Sequence, residues 1–121
     1  TGIISIDIPD SVTSIGSYAF ASNNIATANI GNFVTSIGNF AFSTNKLVKI
    51  TIPEKVITIG DSAFRDNALN NVAIIGTEVT TIGASAFQGN KLSEIFIPVS
   101  ITSIAKLGPD NIPETTSEEF G

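Results

Sequence analysis

The chain contains no Cys, His, Met or Trp. Without Cys there is no disulfide framework and no thiol nucleophile. Without His the usual Ser-His relay and the commonest metal ligand are both missing. Lys and Arg number 6 against 11 Asp and Glu, a net charge of −5. Phosphate backbones call for clustered cations, so a nucleic-acid partner is excluded from the expectation. No apolar run approaches the roughly 20 residues of a membrane span, so none is expected. Charged residues make up only 14% of the chain, well below the roughly 25% of an average soluble domain. Ser, Thr and Asn supply the polar surface instead, and such a surface hydrogen-bonds but captures little by charge. The carboxylates leave a paired-acid hydrolase formally open. Asp10, Glu54 and Asp61 stand at turn slots, however, where solvated turn acids are the plainer reading. The expectation is therefore a protein without catalysis, cofactor or metal.

What the chain does have is a period, and a missed period mis-assigns a whole fold. The stretch ITIPEKVITIGDSAF, Ile50 to Phe64, has near-copies at Ile6 to Phe20, Ala28 to Phe42 and Val72 to Phe87. A fifth copy begins at Ile95 and loses the pattern after Ile104. Ile15, Ile37, Ile59, Ile82 and Ile104 step by 22, 22, 23 and 22 residues. Phe20, Phe42, Phe64 and Phe87 keep the same register, as do Asn23, Asn45, Asn67 and Asn90. The extra residue of the fourth unit falls in the turn Ile75 to Glu78. The chain opens inside a repeat and has no Met, so the expectation is a fragment or a processed product.

Within each unit two aliphatic residues are spaced by two, as in Ile6 and Ile8 or Ile50 and Ile52. That is the strand period. One short strand per 22-residue repeat, all running the same way, predicts a parallel β-sheet with rungs about 4.8 Å apart. Pro9, Pro53 and Pro98 end three of these strands, because proline cannot donate the next ladder bond. The Val-x-x-Ile pairs that follow (Val12 and Ile15, Val34 and Ile37, and so on) predict short second strands on the opposite face, with Thr and Ser pointing outward. Gly16, Gly38, Gly60 and Gly83 predict a bend, and the x-x-Ala-Phe after each a short helical turn. The fold class is thus a right-handed solenoid over residues 1–104, with little helix. Residues 105–121 hold four of the acids and read as an irregular C-terminal cap or linker tail.

Leu-x-x-Ile-x-Ile-Pro, Val-x-x-Ile-Gly and Ala-Phe-x-x-Asn-x-Leu, all in one period, resemble the BspA-like leucine-rich repeats, also called the Treponema pallidum type. The resemblance covers Ile3 to Ile104. Members often carry a Cys before the Asn-type turn and a 23-residue unit; this chain departs from both. The resemblance implies a leucine-rich-repeat solenoid in secreted or surface-anchored proteins, mostly bacterial, that bind proteins or cell surfaces. It implies no catalysis, and the ligand does not carry over between members.

Three sets of residues follow from the repeat. Phe20, Phe42, Phe64 and Phe87 are expected to stack as an interior spine, each ring worth about 2–3 kcal/mol. Asn23, Asn45, Asn67 and Asn90 are expected to satisfy backbone groups of adjacent turns rather than to bind a ligand. The Thr and Ser column suggests a lattice or glycan contact, but Ile57 interrupts it, and solubility with strand propensity explains it as well. The candidate binding face is the outward side of the first strands: Asp7, Thr27, Asn29, Lys49, Thr51, Asn71, Glu94 and Phe96, with Ser5 and Ala73 in the same columns. Solenoids present their strands as an extended contact surface. The expected function is an adhesion or protein-interaction module outside the cell. The alternative is a unit that associates end to end into a fibre or surface layer.

Overall fold

The computed structural model describes residues 4–74, 78–92 and 103–104. The chain winds in coils of one repeat, and its elements in order are β1 (Ser5–Asp7), β2 (Ser14–Ile15), β3 (Thr27–Asn29), β4 (Ser36–Ile37), β5 (Lys49–Ile52), β6 (Thr58–Ile59), β7 (Asn71–Ile74), β8 (Thr81–Ile82) and β9 (Ser103–Ile104). Every strand pairing is parallel, and its register equals the sequence period: Ile15 lies opposite Ile37, Ile37 opposite Ile59, Ile59 opposite Ile82, and Ile82 opposite Ile104. No helix occurs among the described residues. The architecture is the parallel-sheet solenoid that the period predicts.

The interior is built by columns. Ile15, Ile37, Ile59 and Ile82 are buried, as are Val34, Val56 and Val79. Phe42, Phe64 and Phe87 are fully buried, while Phe20 on the first coil is half-buried. Successive rings of this spine lie 5.3, 5.3 and 5.5 Å apart between centroids, with interplanar angles of 21°, 3° and 2°. That spacing is the coil-to-coil rise, so each ring covers the one before it. The Ala that precedes each Phe is buried in the second, third and fourth coils and lets the turn press onto the core.

The structure corrects the expected division of labour between the two faces. Among the described residues the two-residue strands β2, β4, β6, β8 and β9 form a five-stranded sheet, whereas the longer strands are laddered as the pairs β1–β3 and β5–β7. β3 and β5 are neighbours without a ladder between them. Two columns change residue in coil 2 beside this gap. Ala28 stands where its neighbours in the column carry Ile6 and Ile50, and Gly31 stands where they carry Pro9 and Pro53. A Cβ on Gly31 would come within 2.5 Å of the Pro9 carbonyl oxygen and 2.6 Å of that of Ile8. A side chain at Gly31 would therefore not fit against coil 1.

Two local expectations are also corrected. The x-x-Ala-Phe segment is not a helical turn. Tyr18, Phe40, Ser62 and Ser85 sit at φ 63°, 59°, 55° and 58°, in the left-handed region. Ala19, Ala41 and Ala63 N–H donate to Gly16, Gly38 and Gly60 C=O, closing tight turns around those residues. Left-handed φ at the third turn position reverses the chain, where a helix would continue it. The glycine before the turn is itself not left-handed. A Cβ on Gly60 would lie 2.5–2.7 Å from Asn39 and Gly38 atoms of the coil beneath, so the requirement is close approach between coils.

Candidate functional site

Several corners are closed by side chains that reach an adjacent coil. Asn45 is the fullest example. Its Oδ1 accepts from Asn23 N–H and Ile25 N–H at 2.9 Å each. Its Nδ2 donates to the carbonyls of Phe20, Phe42 and Ser43 at 2.9, 3.0 and 3.3 Å. Asn67 takes Leu47 N–H at 3.0 Å and donates to the carbonyls of Phe42, Phe64 and Arg65. Asn90 takes Leu69 N–H at 2.9 Å and donates to those of Phe64, Phe87 and Gln88. In the first coil the Asn23 Nδ2 donates to Ala21 C=O at 3.3 Å. These amides are consumed by backbone groups that would otherwise be orphaned at the corner.

Two further corners use Asp10 and Asp61, acids expected to be merely solvated, and Asn39. After Pro9, Asp10 Oδ1 accepts Asn32 N–H at 3.0 Å; after the glycine of the later coils, Asn39 Oδ1 accepts Asp61 N–H and Asp61 Oδ1 accepts Ala84 N–H, both at 2.8 Å. They are exposed, as expected of turn acids, but each one ties a coil to its successor. On the outward side of the short-strand sheet, the Thr35 hydroxyl donates to Thr13 C=O at 3.0 Å, and Ile57 is 40% exposed in the same column. Among the described residues no group of three His, Cys, Asp or Glu could hold a metal, and no helix is long and apolar enough to cross a membrane.

The candidate binding residues lie along one face. Asp7, Thr27, Asn29, Lys49 and Thr51 are exposed on β1, β3 and β5, with Ser5 beside them. Cα registers place Asp7 opposite Asn29, Lys49 opposite Asn71, and Thr51 opposite Ala73. Asn29 Nδ2 donates to Asp7 Oδ1 at 2.6 Å. Asn71 is on β7, its side chain outside the description. Glu94 and Phe96 lie outside the described residues, as does the tail 105–121.

The structure adds what the sequence reading of this face did not contain. A cleft of about 310 Å³ opens between coils 2 and 3, where the ladder is missing. Ala28, Ile30 and Ile50 form its floor, and Asn29, Asn32, Lys49, Thr51 and Glu54 its polar rim. Ile30 is half-buried, although its column neighbours Ile8 and Ile52 are 7% and 0% exposed. Coils 2 and 3 remain joined on either side: Lys46 N–H donates to Ile25 C=O and Ile57 N–H to Thr35 C=O, both at 2.8 Å. Beyond the lower end the Lys55 Nζ lies 5.9 Å from the Phe33 ring centroid. Apolar side chains also stand on the edge of the face, with Ile4 65% and Val48 48% exposed. On another corner Tyr18 stacks on Phe40 at 4.9 Å and 3°, the Tyr being 62% exposed. Ala28 and Gly31 were the signal available in the sequence for the cleft, since coil 2 breaks both columns there.

The comparisons with known proteins agree with this geometry. The profile of the BspA type leucine rich repeat region matches residues 1–107 as six copies. No curated protein and no solved structure matches the chain. With nearly nine-tenths of its length in the match and a coil register equal to the repeat, the chain belongs to the BspA-type leucine-rich repeat family.

Proposed function

We propose that the protein is a non-catalytic interaction module of a secreted or cell-surface protein, and that it engages a protein or cell-surface ligand through the face of β1, β3, β5 and β7. BspA-type repeats are generally associated with protein interactions at surfaces and are typically non-catalytic. The observation that carries the reading is the contrast between columns. Inward positions repeat Ile, Val, Phe and Asn and are used up by packing and corner bonds. Within each outward column the residue changes from coil to coil, Ser5, Thr27 and Lys49 in one and Asp7, Asn29 and Thr51 in the other, and all of these face solvent. A scaffold held constant beneath a varied face is what an extended recognition surface requires. The test is affinity capture from a cell-surface extract, followed by titration of the captured partner against a Lys49→Ala, Glu94→Ala, Phe96→Ala variant. Binding should weaken at least tenfold. Unchanged affinity would remove this face from consideration.

A second reading is end-to-end association: the columns that stack coil on coil within the chain, Phe on Phe and Ile on Ile, would stack one copy on another in the same manner, a contact that does not close on itself. Light scattering across protein concentration decides it: a concentration-independent monomer removes this reading and leaves the first.

A further inference from the structure

We infer that the outward side of the short-strand sheet is an ice-binding face, whose ligand is the water lattice of a crystal surface. This is a different side of the coil from β1, β3, β5 and β7, so the inference does not rest on the reading of that face.

Three observations point to this ligand. The first is a constant step. Thr35 N–H donates to Thr13 C=O, Ile57 N–H to Thr35 C=O and Thr80 N–H to Ile57 C=O, each at 2.8 Å. The ladder keeps its register from Ser14 through Ser36, Thr58 and Thr81 to Ser103. The extra residue of the fourth unit leaves it unchanged, because it falls in the turn before the sheet. Rungs of a hydrogen-bonded sheet stand about 4.8 Å apart. The spine rings of coils 2 to 4 stay parallel within 3°, so these coils stack without tilting and the rows run straight.

The second observation is a uniform surface. One outward column reads Thr13, Thr35, Ile57 and Thr80, with Thr102 next in sequence. All of these are β-branched and carry a γ-methyl, so Ile57 breaks the column in hydroxyls but continues it in methyls. The column beside it reads Ser14, Ser36, Thr58 and Thr81, one hydroxyl per rung. No charged residue stands in either column, whereas the long-strand face carries Asp7 and Lys49. The third observation is a fixed rotamer. The Thr35 hydroxyl donates to Thr13 C=O at 3.0 Å, and the Thr80 hydroxyl reaches Ile57 C=O at 3.5 Å. A hydroxyl turned back onto the sheet leaves the methyl for solvent, and χ1 of a β-branched side chain is stiff.

Rows at a constant step are matched by a ligand that repeats at the same step. In ice each oxygen lies one hydrogen bond, about 2.75 Å, from its tetrahedral neighbours, which places second neighbours about 4.5 Å apart. The difference from the rung is about 0.3 Å, or about 1 Å across four rungs. Water over a methyl row is restricted in orientation. The hydroxyl column beside it both donates and accepts. The first water layer is therefore ordered at nearly the lattice step and can join the crystal. A charged side chain would hold its own hydration shell against that layer, and neither column contains one. The columns also offer none of the aromatic or Arg anchors that dominate protein contacts.

The experiment grows a single ice crystal in a solution of the full chain and measures its melting and freezing points, and then assays protein taken up into a slowly frozen ice mass. The wild type should hold the freezing point below the melting point, facet the crystal and enter the ice. Ile57→Lys sets a charge in the middle of the row at a 40% exposed position and should abolish all three effects. Thr13→Lys, also at an exposed position, repeats the test on the first coil. Ile57→Thr completes the Thr column and should keep the activity, as should Lys49→Ala on the long-strand face. Far-UV circular dichroism checks that each variant is folded. No effect of the wild type on ice, full activity of both folded Lys variants, or loss of activity in Lys49→Ala overturns the inference. Retention of the chain on crystalline cellulose or chitin with no effect on ice overturns it as well, and would assign the rows to a polysaccharide.

Discussion

Replacing Asn45 by Ala is the sharpest probe of how the coils are held together. Asn45 is 8% exposed and touches five backbone groups from two coils. Its oxygen accepts two bonds. Its two N–H hydrogens are shared among three carbonyls, so four bonds are the most that geometry supports at once. A net contribution of about 1 kcal/mol per bond gives about 4 kcal/mol. The buried Ile25 N–H loses its partner outright, which raises the loss, while water reaching the vacated corner lowers it. The expected destabilisation is about 3–5 kcal/mol. Asn45→Asp keeps both accepted bonds but turns the donor into an oxygen facing the carbonyls of Phe20, Phe42 and Ser43, and it should fall no less far. Asn39→Ala is the comparison. It removes one exposed bond, from Asp61 N–H at 2.8 Å, and should cost about 0.5–1.5 kcal/mol. Urea unfolding by far-UV circular dichroism measures all three. Because repeat arrays unfold in steps when cooperativity fails, fluorescence of Tyr18, the sole Tyr, serves as a second probe on the first coil. A loss at Asn45→Ala below about 1 kcal/mol, or no greater than at Asn39→Ala, would refute the account of the corner.

Other consequences can be measured in the same way. Phe64→Ala, in the middle of the spine between Phe42 and Phe87, should lose about 3–5 kcal/mol, whereas Phe20→Ala, half-buried at the end, should lose less; equal losses would argue against the stack as the source of stability. Gly60→Ala should destabilise by about 1–3 kcal/mol, because its Cβ meets the backbone of coil 2, while Gly16→Ala, with open space around it, should be near neutral. Ala28→Ile should raise the urea midpoint, if the missing methyl groups are what keep the seam open; an unchanged or lower midpoint would place the cause at Gly31 alone.

The architecture was legible because several columns keep one register. A step of 22 or 23 residues shared by Ile15, Ile37, Ile59 and Ile82 and by the other columns is satisfied by stacking like over like, so parallel pairing and the Phe spine follow from spacing. The Asn column was legible for a related reason. A polar amide recurring between buried Phe and Leu positions needs partners, and the nearest unpaired groups are the corner peptides. Asp10 and Asp61 were harder to read. An acid at a turn looks the same whether it faces water or caps the N–H of the next coil, and only the distance between coils decides.

Sequence alone therefore determined the repeat, the inward columns and the set of side chains free to face outward, because periodicity is a one-dimensional property that burial copies into space. Tertiary structure decided which of the two faces carries the continuous sheet, that Tyr18 and Phe40 take left-handed φ, and that coils 2 and 3 part along the long-strand face. Ala28 and Gly31 were visible as departures from their columns, but a missing side chain can be absorbed by closure or left as a gap. The choice depends on how far the neighbouring coils can move while their bonds on either side, Lys46 to Ile25 and Ile57 to Thr35, stay intact.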